Sequence, residues 1–123
     1  MHPLIRPILG ASALSLSFTS LAAECDVQAG QQVFQSKCSA CHALDNDRVG
    51  PHLAGVVGRP IGSVPGFIYS SELAGAKRDW SPQLLDHWLS APAKLFPDTT
   101  MAFGGLRKVE ERQAVLCFLQ QHS

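Results

Sequence analysis

The chain has no excess of either charge: ten lysines and arginines stand against ten aspartates and glutamates in 123 residues, and charged residues make up only 16%. That balance excludes a basic nucleic-acid footprint. Strand signals are weak, so a sheet-based fold is not expected. No apolar run reaches the roughly twenty residues a membrane-spanning helix needs. The longest, residues 8–21, is interrupted by Gly10 and several serines. At this length the chain forms one domain, and so small a domain struggles to bury enough core from its own side chains.

The first residues are not part of that domain. Residues 1–6 are a short basic start, residues 8–21 are mostly apolar or small, and Ser20-Leu21-Ala22 places small residues where a signal peptidase reads. The pattern predicts a secretory signal peptide over 1–22, cleaved after Ala22 or Ala23, and a domain over 23–123. Cys25 sits one residue too far along for a lipoprotein signal. The mature chain is predicted to be exported to a bacterial periplasm, nearly neutral, with one more acid than bases once Arg6 is removed.

What is present is concentrated in Cys38-Ser39-Ala40-Cys41-His42. Two thiols three apart on a helical turn share a side, and the imidazole four residues after Cys38 lies on it too. Each thiolate can add across one vinyl group of a porphyrin, with His42 beneath the iron. CxxCH thus reads as a c-type haem attachment site. A structural zinc site would need a second spaced pair, and the chain has no second CxxC and no HxxxH. A thioredoxin-like dithiol would need an αβ pattern around it. A haem would also supply the apolar plate that so small a core lacks.

In chain order, Asp26 is a good N-cap, and Val27, Gly30, Val33, Phe34 and Lys37 follow at helical spacing into Cys38. Glycines and Pro51 make a compact loop of residues 50–59. A metal-ligating histidine usually gives its other ring N–H to a carbonyl, and the carbonyl at Pro51 is the candidate for His42. Residues 62–69 continue as loop. Ser71 is expected to cap a short helix over 72–77. Ser81 as N-cap and Pro82 at the first helical position start a helix with Leu84, Leu85, Trp88 and Leu89 on one face, ended by Pro92. A last helix runs from about Arg107 to Gln120, with Val115, Phe118 and Leu119 as its apolar stripe. It has no capping side chain, though Glu110 and Glu111 suit its dipole.

These stretches together resemble the class I c-type cytochromes, of the small soluble bacterial kind: Cys38 to His42, Gly50-Pro51 through Gly58-Arg59, Pro65-Gly66-Phe67 with Tyr69, Trp80, Pro92, and Pro97 through Met101 and Phe103. The resemblance implies an all-α cytochrome c fold of about four or five short helices around one covalently bound haem c, with the terminal helices crossing. It implies a single-chain electron carrier rather than an enzyme. The partners implied are redox proteins such as a membrane cytochrome complex, an oxidase or a periplasmic dehydrogenase.

With the signal removed, Met101 is the only methionine, and its thioether is the expected sixth iron ligand, giving the His-Met pair common in cytochromes c. His52, His87 and His122 are the rival ligands, each also readable as a surface histidine. The resemblance further implies that Arg59, Tyr69 and Trp80 meet the haem propionates and that Thr99 steadies Met101. It places Val115 and Phe118 against Gly30 and Phe34. Cys25 and Cys117 flank that crossing in an oxidising compartment, but sequence leaves their pairing open. Lys37, Lys94, Arg107 and Lys108 stand near the expected haem edge, with Ala93 and Thr100 where relatives often carry lysine, so docking is expected to be only moderately salt-dependent. A second function class also stands: a haem enzyme or sensor that opens the iron by releasing Met101.

Overall fold

The computed structural model describes residues 3–4, 7–17 and 25–123. The expected cleavage points at Ala22 and Ala23 lie outside the described residues. Ile8, Leu9, Leu14 and Leu16 are all exposed. Among the described residues, no helix is long and apolar enough to cross a membrane.

The architecture is all-α: α1 (Val27–Val33), a π-helical turn (Phe34–Cys38), α2 (Ser71–Gly75), α3 (Pro82–Ser90), α4 (Pro92–Leu95) and α5 (Val109–Gln121). Asp26 caps α1 as expected, its carboxylate accepting the Ala29 N–H at 2.9 Å. Ser81 caps α3 by accepting from Leu84 N at 3.1 Å, with Pro82 in the first turn.

α5 starts at Val109, two residues after the expected Arg107, and two further starts differ from expectation. The cap of α2 is Ser70, not Ser71, and that helix ends at Gly75. Pro92 does stop α3, but it also opens α4, because its fixed φ and missing N–H suit a first helical position.

The terminal helices cross at Gly30. A β-carbon there would overlap the carbonyl oxygen of Ala114 and stand 2.7 Å from Cβ of Phe118. Phe34 packs beside the crossing, its ring centroid 5.3 Å from that of Phe118. Ala114 therefore takes the place expected of Val115. The two residues are about 100° apart on the helix, so Ala114 and Phe118 face α1 while Val115 and Leu119 face the cavity described below. This double duty explains why residues 114–119 are buried without interruption.

Cys25 and Cys117 form a disulfide beside the crossing, with Cα atoms 5.6 Å apart. The residues joined are 92 apart in sequence. Elsewhere the described backbone is loop, organised by a short antiparallel pairing: Gly58 N donates to Trp80 O at 2.7 Å, Trp80 N to Arg59 O at 2.8 Å and Ile61 N to Arg78 O at 2.9 Å. That pairing sets Arg59 beside Trp80. Trp80, Trp88 and Phe96 then form an aromatic cluster with centroids 5.4 to 6.3 Å apart.

Candidate functional site

The CxxCH run begins where α1 widens. Ser39 N donates to Phe34 O at 2.9 Å, an i to i−5 bond that adds one residue to the turn. The chain then tightens again, with Cys41 N and His42 N both donating to Cys38 O, at 3.1 and 2.9 Å. Nothing along the sequence marks the widened turn, because apolar spacing over a single turn does not distinguish it from an ordinary helix.

His42 is fixed from two sides. Its Nδ1 lies 2.8 Å from the Pro51 carbonyl oxygen. A carbonyl only accepts, so Nδ1 carries the proton and Nε2 keeps its lone pair. Burial lowers the His42 pKa, the Pro51 hydrogen bond opposes this, and the Arg59 cation lowers it further. The net effect favours the neutral ring, the form that binds a metal. Gly50 stands against the imidazole so closely that a β-carbon would overlap it, and Gly50 N donates to Cys41 O at 2.9 Å.

A cavity of about 510 Å³ opens beside these residues. Cys38, Cys41, His42 and Met101 all line it, so the four expected site residues are brought together. Arg59, Tyr69, Trp80 and Thr99 line it as well. Trp88 and Leu89 of α3, with Val115 and Leu119 of α5, form apolar wall. Met101 N donates to Thr99 Oγ1 at 3.2 Å.

The rival histidines lie elsewhere. His52 bonds Asp47, with Nδ1 at 2.7 Å and the backbone N at 2.9 Å from the same carboxylate oxygen. His122 packs edge-on against Phe118. His87 is exposed on α3, and none of the three lines the cavity.

The cavity suits a haem in three respects. It is apolar and of ligand size. Two thiols and a neutral imidazole with a free lone pair meet at one place. Among the described residues its charged lining is Lys37 and Arg59, both cations, which match a group carrying carboxylates. Arg59 is half-buried and its pKa is lowered, chiefly by burial. It remains a guanidinium cation and donates from Nη1 to His52 O at 2.9 Å. Tyr69 accepts from Val64 N at 3.1 Å, leaving its own proton free to donate.

Sequence reasoning did not find Leu73, Val49 or Ile68 among the lining residues. Val49 and Ile68 are 77% and 91% exposed, so they form an apolar rim rather than core.

A helical shell around a cavity that gathers CxxCH and a methionine defines a c-type haem domain. Comparison with known proteins agrees: residues 27–123 match the family model described as Cytochrome c. The chain belongs to the cytochrome c family. It is 38% identical over 100 residues to cytochrome c of Stellaria longipes, covering 79% of this chain and 93% of that one. It is 40% identical over 95 residues to "cytochrome c-type cyt cy" of Rhodobacter capsulatus, covering 76% of this chain. That match spans about half, 48%, of the Rhodobacter protein. Among solved structures, cytochrome cH from Methylobacterium extorquens superposes with a TM-score of 0.74 at 33% identity, covering 78% of this chain and 98% of that one. Membership makes the chain a haem electron-transfer protein with one covalently bound haem c.

Proposed function

We propose that the protein is a periplasmic shuttle that carries single electrons between redox proteins through a haem ligated by His42 and Met101 and joined by thioethers to Cys38 and Cys41. The observation that carries this reading is that all four side chains line one cavity. The bound haem supplies an iron that changes oxidation state by one electron. His42 is presented with Nε2 unprotonated by the Pro51 carbonyl. A thioether from Met101 favours the ferrous state and raises the potential. If His42 and Met101 both held the iron, the chain would leave no open site for a substrate, and Trp88, Leu89, Val115 and Leu119 would give the haem an apolar wall. Arg59, Tyr69 and Trp80 are suited to hold the propionates.

In this reading residues 1–22 are an export signal removed after Ala22 or Ala23, and the mature domain acts as a single chain. The partners are a membrane cytochrome complex, an oxidase or a periplasmic dehydrogenase. Among the described residues the cavity lining offers a single lysine, Lys37, and the exposed apolar pair Val49 and Ile68, which supports docking of modest salt dependence.

The test is the visible spectrum of the reduced protein with and without carbon monoxide. An unchanged spectrum is expected if His42 and Met101 both hold the iron. A carbon monoxide complex formed on mixing would instead mark an open iron and overturn the reading.

A further inference from the structure

The segment carrying Met101 is well anchored only at its ends. Upstream, Phe96 sits in the cluster with Trp80 and Trp88. Downstream, Leu106 N donates to Leu89 O at 2.7 Å, and Gly105 packs against the Ser90 carbonyl so closely that a β-carbon would overlap it. Between these anchors the hydrogen bonds are local: Thr99 N to Phe96 O, Met101 N to Thr99 Oγ1 and Phe103 N to Met101 O. Among the described residues there is one exception. Asp98 Oδ2 accepts the backbone N–H of Glu72 at 2.9 Å, across a sequence separation of 26.

That bond completes the cap of α2. The first N–H groups of a helix have no partner within it. Ser70 Oγ serves Leu73 N at 3.4 Å, and the carboxylate from the Met101 segment serves Glu72. Ser70 and Leu73 line the cavity, and so do Thr99, Thr100 and Met101. The bond therefore ties two stretches of cavity wall together, three residues before the thioether.

We propose that Asp98 is a positioning residue for Met101: by accepting the Glu72 N–H it latches the methionine segment to the α2 wall and holds the sulfur at the iron. The proposal rests on Met101 being the sixth ligand. A methionine held by a local turn alone leaves the iron more often, and an added ligand then enters more readily. A charge-assisted hydrogen bond to a backbone N–H shifts such an opening equilibrium by roughly tenfold.

The test measures imidazole binding to the ferric, haem-loaded protein by its spectrum. Asp98→Ala is expected to raise the apparent affinity roughly tenfold. Asp98→Asn keeps an acceptor oxygen without the charge and should raise it by clearly less. Glu72→Ala leaves the donor N–H in place and should stay near the parent. Parent-like binding in Asp98→Ala overturns the proposal, and so does an equal rise in Asp98→Asn or Glu72→Ala. Hydrogen exchange at the Glu72 amide of the intact protein adds a test that needs no variant. Slow exchange is expected, and exchange as fast as that of a free exposed amide contradicts the latch. The ligand assignment fails differently: Met101→Ala would then bind imidazole no more tightly than the parent.

Discussion

Gly30 of α1 lies so close to Ala114 of α5 that a β-carbon on it would overlap the Ala114 carbonyl oxygen. The obstacle is backbone, which cannot rotate away as a side chain can. Gly30→Leu is expected to lower the unfolding free energy by roughly 3 kcal/mol. The urea midpoint should fall with little change in slope, while haem still attaches, because Cys38 to His42 are set by their own turn.

The Cys25–Cys117 disulfide ties the same crossing. Cross-linking residues so far apart restricts the unfolded chain, and its loss is expected to cost roughly 3 to 5 kcal/mol. A Cys25→Ser, Cys117→Ser double variant checked by chemical unfolding should show that loss. Thiol titration of the denatured, haem-loaded parent should find no free thiol before reduction and two after it.

Asp47 titrates below its ordinary value of 3.8, first because the His52 backbone N–H bonds its carboxylate and then because the His52 ring does. A lowered carboxylate pKa stabilises the fold above the ordinary value, and this contribution is lost as pH falls through the lowered one. The unfolding midpoint of Asp47→Asn should therefore lie below that of the parent near neutral pH and approach it in strong acid. The gap should be small, since the pair is at the surface and screened.

Much of this site was legible because its determinants are local. CxxCH needs only a turn, Asp26 and Ser81 reach donors within their own first turns, and Pro51 offers a carbonyl and no competing N–H. Gly30 was readable as a point of close approach. Features set by distant parts of the chain were not. Ala114 rather than Val115 meets α1 because the cavity claims the neighbouring face of α5, and a stripe of apolar residues does not say which neighbour each will face. Asp98 caps a helix 26 residues earlier, beyond any capping pattern read along the chain. Ser70 and Ser71 are equivalent as caps until the loop before them fixes which is extended. The disulfide depended on a Cα separation that only the packed helices define.

The central claim is that sulfur from Met101 and nitrogen from His42 share the iron. The most direct measurement is the far-red absorption of the ferric protein, where a thioether bound to ferric haem gives a weak charge-transfer band. The band should be present in the parent at neutral pH and absent in Met101→Ala. A parent without it, or a variant that keeps it, would contradict the account.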